Sequence, residues 1–324
     1  MKSGKLQNMN IPPIALGTWS WGTGGNGGDA VFGNHLSEKE LKPVFDTAME
    51  AGFNLWDTAA VYGMNASENI LGSFIKDRKD VLISTKFTPR MAGDNDNAVE
   101  EILNGSLDRL GLEYVDIYWI HSPEDVQRWT PKLIPLMKSG KVKHVGVSNH
   151  NLEEIKLAAS ILAQEGLKIS AVQNHYSLLY RSSEEAGIID YCKENNMVFF
   201  SYMVLEQGAL TDKYNRNNPM PSGTRRGEAF NQEVLAKIES LIQEMKEIGS
   251  KHQASTAQIA TAWSMAKGTV PIIGVTKTSH IEDAIKASKI NLTDQDVRKL
   301  EEAAKETGVE VKGAWEKSMH ESKE

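Results

Sequence analysis

Eight short apolar runs recur along the chain, and the hydrophobic period between them changes to that of a helix. The runs occupy 14–18, 53–56, 81–87, 115–121, 142–148, 171–174, 197–202 and 270–273. Most are apolar on both faces, as parallel strands covered on both sides require. Ser37 and Glu40 have capping-box spacing, and Leu41, Val44, Phe45, Ala48 and Met49 then share a helical face that ends before Gly52. Ile70, Leu71, Phe74 and Ile75 make a second stripe; Val99, Ile102, Leu103, Leu107 and Leu110 make a third, closed by Gly111. Strand followed by helix, repeated at about 30 residues, predicts an α/β fold: a (β/α)8 TIM barrel forming a single domain over 1–324.

Two segments break the period. The first, 21–36, carries Gly22, Gly24, Gly25, Gly27, Gly28 and Gly33. A doubly wound sheet would need such a turn to open directly into a helix. No helical pattern starts there, so the segment reads as a mobile loop after strand one. The second, 206–253, follows strand seven. It holds Pro219, Pro221, Arg225 and Arg226, then an extra amphipathic helix through Val234, Ile238, Leu241, Ile242 and Met245. Long loops on a barrel usually bind or cover something. The tail, 308–324, is polar and rich in Lys and Glu; it reads either as a flexible end or as a segment docked through Trp315.

Charge and composition remove whole classes of function. The chain has 36 basic and 43 acidic residues, a net charge of −7, so no broad basic face for nucleic acid is expected. Cys192 is alone and reads as a buried structural thiol in a reducing compartment. No run approaches the roughly 18 apolar residues of a membrane span. The first residues lack the apolar core of a signal peptide. A cytoplasmic protein acting on small molecules is expected, with monomer and homo-oligomer equally open and no metal site implied.

In a barrel, chemistry gathers at the C-terminal ends of the strands. Asp57 ends strand two, with Tyr62 just beyond it; Lys86 is on strand three and His121 ends strand four. Ser148 and Asn149 end strand five, Gln173 lies on strand six and Tyr202 ends strand seven. Each alone is more often structural. Together, on successive strands, they read as a site. Lys86 needs a partner, and Asp57 supplies it. A neighbouring ammonium favours the phenolate, so Lys86 is expected to lower the pKa of Tyr62. His121 can orient a carbonyl oxygen or relay a proton. The set is a general acid aimed at a carbonyl, and it has no hydride of its own, so a cofactor is implied. Ser148, Asn149 and Gln173 suit a carboxamide, and the Tyr202 ring suits stacking.

These residues stand in motifs that resemble the aldo-keto reductase family. They include Leu16-Gly17-Thr18-Trp19, Trp56-Asp57-Thr58-Ala59-Ala60-Val61-Tyr62-Gly63, Ser84-Thr85-Lys86-Phe87, Ile120-His121-Ser122-Pro123 and Val172-Gln173-Asn174. The resemblance runs from about residue 14 to 300 and implies a barrel that binds NADP, or NAD, without a Rossmann domain. By that resemblance Asp57, Tyr62, Lys86 and His121 are the catalytic four, with Asp57 also near the cofactor. Ser148, Asn149 and Gln173 meet the nicotinamide carboxamide, and Tyr202 stacks on its ring. Gly17, Thr18 and Trp19 line the mouth shared by cofactor and substrate. Leu205 and Gln207 lie in the pyrophosphate loop. Gly274, Thr276, Lys277, His280 and Asp283 hold the adenosine phosphate. Met203 departs from the usual Ser-Pro-Leu after the stacking residue, and His280 stands where many relatives carry Arg, leaving Lys277 as the cation.

The leading expectation is therefore an NAD(P)(H)-linked oxidoreductase interconverting an aldehyde, ketone or sugar with its alcohol. Trp19, Trp21, Trp119 and Tyr176 are expected to shape its pocket, with Trp19, Trp21, Tyr62 and His121 facing substrate. A cofactor-occupied regulatory or partner-binding subunit is the alternative. A barrel aldolase or isomerase with Lys86 as a Schiff-base lysine is a third, opposed by the charge that Asp57 would keep on Lys86.

Overall fold

In the computed structural model, which describes residues 4–320 apart from 314 and 318, the eight expected runs form the staves of a closed parallel barrel. An antiparallel hairpin, β1 (Gly4–Leu6) and β2 (Met9–Ile11), precedes them. The staves are β3 (Ala15–Gly17), β4 (Leu55–Asp57), β5 (Leu82–Phe87), β6 (Val115–Ile120), β7 (Val142–Ser148), β8 (Ala171–His175), β9 (Val198–Tyr202) and β10 (Val270–Gly274). They run in chain order around the barrel, and β10 closes on β3. The register sets Asp57 beside Gly17 and Ser84, Ser148 beside Gln173, and His175 beside Tyr202. The polar strand ends are thus neighbours around one rim.

The interior below that rim is apolar. Leu55, Ile117, Trp119, Ala171, Phe200 and Ile272 fill it, and Leu6 and Ile11 of the hairpin close the N-terminal end from below. Trp119 needs the space beside Gly146, where a Cβ would stand 2.2 Å from the indole. The hairpin was not apparent in the sequence. Its strands have three residues each, too few to show a period.

Outside the barrel, each helix buries its stripe against the strands. The capping box at Ser37 starts helix Glu38–Glu50, and Gly111, with φ of 66°, ends helix Ala98–Leu110. Helices Ala66–Ile75 and Ala98–Leu110 touch backbone to backbone at Gly72, where a Cβ would lie 2.1 Å from the Arg109 carbonyl oxygen. Buried Glu68 ties the same pair, accepting from Arg109 Nε at 2.7 Å and from Thr85 at 2.5 Å. Cys192 is buried, which pushes its thiol pKa up to about 12.

Two local expectations need correction, and the described part of the tail takes the docked one of its two alternatives. The glycine-rich segment 21–36 does contain a helix, Gly28–Phe32, of five residues. One turn carries no stripe, so the pattern was invisible. Gly28 is required there, because a Cβ would meet the Ser20 carbonyl at 2.3 Å. The extra helix is two, Gln232–Lys237 and Glu239–His252, broken at Ile238. The described part of the tail is docked: Trp315 packs edge-on against Trp19 with ring centroids 5.6 Å apart, and Glu316 is buried. The rest of 314–324, namely 314, 318 and 321–324, lies outside the described residues. Among the described residues no helix is long and apolar enough to cross a membrane.

Gly72→Ala is expected to cost about 1–3 kcal/mol, because neither backbone at that contact has room to yield. The urea midpoint should fall while the slope of the transition stays constant; an unchanged midpoint would show that the helices can part.

Candidate active site

Lys86 is the centre of the rim. Its side chain is fully buried on the inward face of β5, and its three ammonium protons have three acceptors. Asp57 Oδ2 is 2.5 Å away, the Thr58 carbonyl 2.8 Å and the Tyr62 hydroxyl 3.2 Å. The other oxygen of Asp57 accepts from Ser84 at 2.5 Å and from the Gln173 amide at 3.1 Å. Burial works against the Lys86 charge, but Asp57 and then Tyr62 outweigh it and its pKa is raised. A lysine held charged in this way is not a free amine for Schiff-base chemistry.

Tyr62 reaches this point from the tight turn after β4. Its N–H donates to the Ala59 carbonyl, and positive φ at Gly63, Met64 and Asn65 turns the chain into helix Ala66–Ile75. The expected lowering of its pKa by Lys86 is present in direction only. Burial is the larger effect, Asp57 adds to it, and the phenol is raised above its usual value. Tyr62 is therefore protonated at neutral pH. Trp19 stacks over it at 6.0 Å between centroids.

His121 follows β6 and stands edge-on to Tyr62 at 6.0 Å. Burial, aided by Lys86 and Arg90, drives its pKa well below the usual value, so the ring is neutral. Thr88 Oγ1 lies 2.9 Å from its Nδ1. The ring's other nitrogen has no hydrogen-bond partner among the described residues, which leaves it for a ligand. Thr88 is two residues past Lys86 on the same side of the strand, a parity that the sequence does contain. Asn149, at φ of 63°, donates to the His121 carbonyl at 2.8 Å, and its Oδ1 is 2.6 Å from the Tyr202 hydroxyl.

A cleft of about 1210 Å³ extends from this cluster across the rim. At one end it is lined by Gly17, Trp19, Asp57, Tyr62 and His121. Ser148, Asn149, Gln173 and Tyr202 line its middle, followed by Met203, Leu205 and Gln207. Gly274, Thr276, Lys277, His280 and Asp283 line the far end. His280 Nδ1 accepts from the Thr276 N–H at 3.2 Å, and burial lowers its pKa, so the cations at that end are Lys277 and Lys213 rather than His280. Asp283 accepts from Gln258 at 2.6 Å.

Other expected residues lie elsewhere. Thr18 is buried behind the cleft, donating to the Asp57 carbonyl at 3.1 Å. Trp21 is a core residue: its indole donates to the Val275 carbonyl at 2.7 Å and packs on Trp56 and Phe74. Trp119 belongs to the barrel floor, and Tyr176 stacks on Trp263 on the outside of the barrel. The sequence reading did not place Phe32, Met64, Met91 and Arg226 on the cleft, although all four line it. Phe32, Met91 and Arg226 sit in helices of three to five residues and Met64 in a turn, all too short for a period to fix a direction.

The cleft suits a dinucleotide. Its volume of about 1210 Å³ has room for one, and the Cβ position at Gly274 opens on space. Arg226 Nε is buried on it with no partner among the described residues, a donor that suits a phosphate-bearing ligand. Among the described residues no group of His, Cys, Asp and Glu could hold a metal.

Comparison with known proteins agrees in kind. A model of the Aldo/keto reductase family matches residues 13–305. The chain is 30% identical to the chloroplastic pyridoxal reductase of Arabidopsis thaliana, covering 94% of this chain and 86% of that protein. It is 28% identical to the aldo-keto reductase yakc of Schizosaccharomyces pombe, whose name carries NADP(+), over 96% of this chain and 93% of that one. The glycerol dehydrogenase structure from Gluconobacter oxydans superposes with a TM-score of 0.79 at 22% identity, covering 93% and 94% of the two chains, and so shares the fold.

Lys86→Met should cost about 3–5 kcal/mol, since it leaves Asp57 buried without its counter-charge. Lys86→Met with Asp57→Asn should regain much of that loss in denaturant titrations. Equal instability of the single and double variants would mean that the pair is not the source of the cost.

Proposed function

The chain belongs to the aldo/keto reductase family, and we propose that it interconverts a carbonyl compound and its alcohol using NADP(H), with Tyr62 moving the proton. Members of the family are NAD(P)H-dependent oxidoreductases. The observation that carries the reading is the Tyr62 hydroxyl, 3.2 Å from a lysine locked 2.5 Å from Asp57, beside a neutral histidine in a cleft of about 1210 Å³. When bound, the cofactor supplies the hydride. Tyr62, held protonated, gives its proton to the carbonyl oxygen. Lys86 stabilises the phenolate left behind. The free nitrogen of His121 points the carbonyl at Tyr62. Lys277 and Arg226 offer positive charge along the phosphates.

The mouth of the cleft sets the substrate class. Trp19, Phe32, Met64, Met91 and Trp315 line it, an apolar and aromatic wall. It favours flat hydrophobic aldehydes and ketones over polyhydroxylated sugars. The name of the Arabidopsis thaliana relative, a pyridoxal reductase, points to an aromatic aldehyde as well.

Tyr62→Phe should lower kcat for an aromatic aldehyde by about 10²–10⁴-fold, the usual worth of a general acid, while NADPH still binds. Near-normal turnover would remove Tyr62 from the reaction. Tight NADPH binding by the unaltered protein with no turnover on any carbonyl would favour the regulatory subunit instead.

Lys277→Ala should weaken NADPH by about ten- to a hundredfold, as loss of a charged hydrogen bond worth roughly 1.5–3 kcal/mol would, and leave NADH unchanged. A calorimetric titration with both nucleotides separates the cases. Equal weakening of both would place Lys277 away from the 2′-phosphate.

A further inference from the structure

A buried charged cluster beside the cleft takes no part in the chemistry described so far. His175, at the end of β8, is fully buried and ionically bridged on both ring nitrogens. Nε2 lies 2.8 Å from Glu206 Oε1, and Nδ1 lies 3.0 Å from Glu316 Oε1. Both carboxylates are themselves buried, and Ser177 also hydrogen-bonds Glu206. The two carboxylates outweigh burial and raise the His175 pKa to about 10.

The two carboxylates come from different parts of the molecule. Glu206 lies in the loop after β9, which lines the cleft through Leu205, Gln207 and Gly208. Three successive residues there, Glu206, Gln207 and Gly208, have φ of 47°, 54° and 105°. The first two are strained in that region and need something to hold them. Glu316 belongs to the C-terminal segment. It also accepts from the Tyr202 hydroxyl at 2.5 Å, and its neighbour Trp315 donates to that hydroxyl at 3.3 Å. One imidazolium thus holds the strained loop on the phosphate side of the cleft and the segment that brings Trp315 to the carbonyl side.

We propose that His175 and Glu316 are positioning residues that lock the C-terminal segment to the 205–208 loop, so that seating of the cofactor and closure of the substrate wall are one event. The inference rests on the reading of the cleft as an NADP(H) site. Seating the cofactor against Leu205 and Gln207 fixes Glu206. Fixed Glu206 fixes His175, and His175 holds Glu316. By linkage, whatever factor NADPH adds to the seating of the tail must return as the same factor in NADPH affinity when the tail is loosened.

Glu316→Gln tests this in the full-length protein, since it keeps the size and removes the charge. Lys312 and Lys317 are exposed on either side, so trypsin release of the tail, followed by mass spectrometry, reports its seating. Tail release in the absence of nucleotide should be about five- to tenfold faster in the variant, within the usual range of site coupling. NADPH should slow release in the unaltered protein but not in the variant, and calorimetry should show NADPH binding weakened by a matching factor. With an aromatic aldehyde, KM should rise further than kcat falls. Equal release from both proteins without nucleotide would overturn the lock. Faster release with unchanged NADPH affinity would overturn the coupling. Failure of the unaltered protein to bind NADPH would overturn the cofactor reading and the coupling with it, while the release comparison without nucleotide would still decide the lock.

Discussion

The ion pair of Lys86 and Asp57 is the constraint around which the rest is arranged. Two charges in the middle of a barrel lose their hydration, at an effective cost of several kcal/mol each. They persist because nothing on either group is left over. The ammonium meets a carboxylate, a carbonyl and a phenol, and the carboxylate meets a hydroxyl and an amide. Those partners come from β4, β5, β8 and the turn after β4. The pair is therefore complete only when the barrel is closed, and its chemistry depends on the closure of the fold. The same pairing keeps Lys86 charged, while burial keeps Tyr62 protonated and His121 neutral.

The rim stands on a rigid floor. Trp119 and Phe200 meet edge-on at 5.5 Å below it, and Gly146 leaves room for the indole. Strain gathers above. Asn149, Met203, Glu206 and Gln207 all have positive φ, and all lie just past strand ends on the cleft side. Backbone held in that region persists where surrounding bonds over-determine it. The Asn149 bonds to His121 and Tyr202 and the Glu206 bonds to His175 and Ser177 are such bonds.

The barrel and the strand-end residues were legible because strands impose a period of two and the barrel puts their ends on one rim. Parity gave the side of the sheet for Lys86 and His121, but it gave no depth. Trp119 shares its side with His121, yet it lies two residues lower, about 7 Å along the strand, and enters the floor instead of the cleft. Tyr176 follows His175 with opposite parity and faces Trp263. Trp21 lies past its strand, where parity has lapsed. Residues of single helical turns such as Phe32 and Arg226 meet only through the fold: Arg226 sits 5.8 Å from the Phe32 ring, across nearly two hundred residues of chain. The bridge from His175 to Glu316 spans 141 residues, and neither residue lies in a pattern that announces the other.

The hairpin beneath the barrel has a consequence for traffic. Leu6 and Ile11 seal the floor, so whatever reaches Tyr62 must arrive and depart through the opposite rim. Two guests sharing a blind alcove cannot pass one another. Anything that enters this alcove leaves by the rim through which it came. A plug of eight residues at the far end of the molecule thereby imposes an itinerary on everything that happens at the near end.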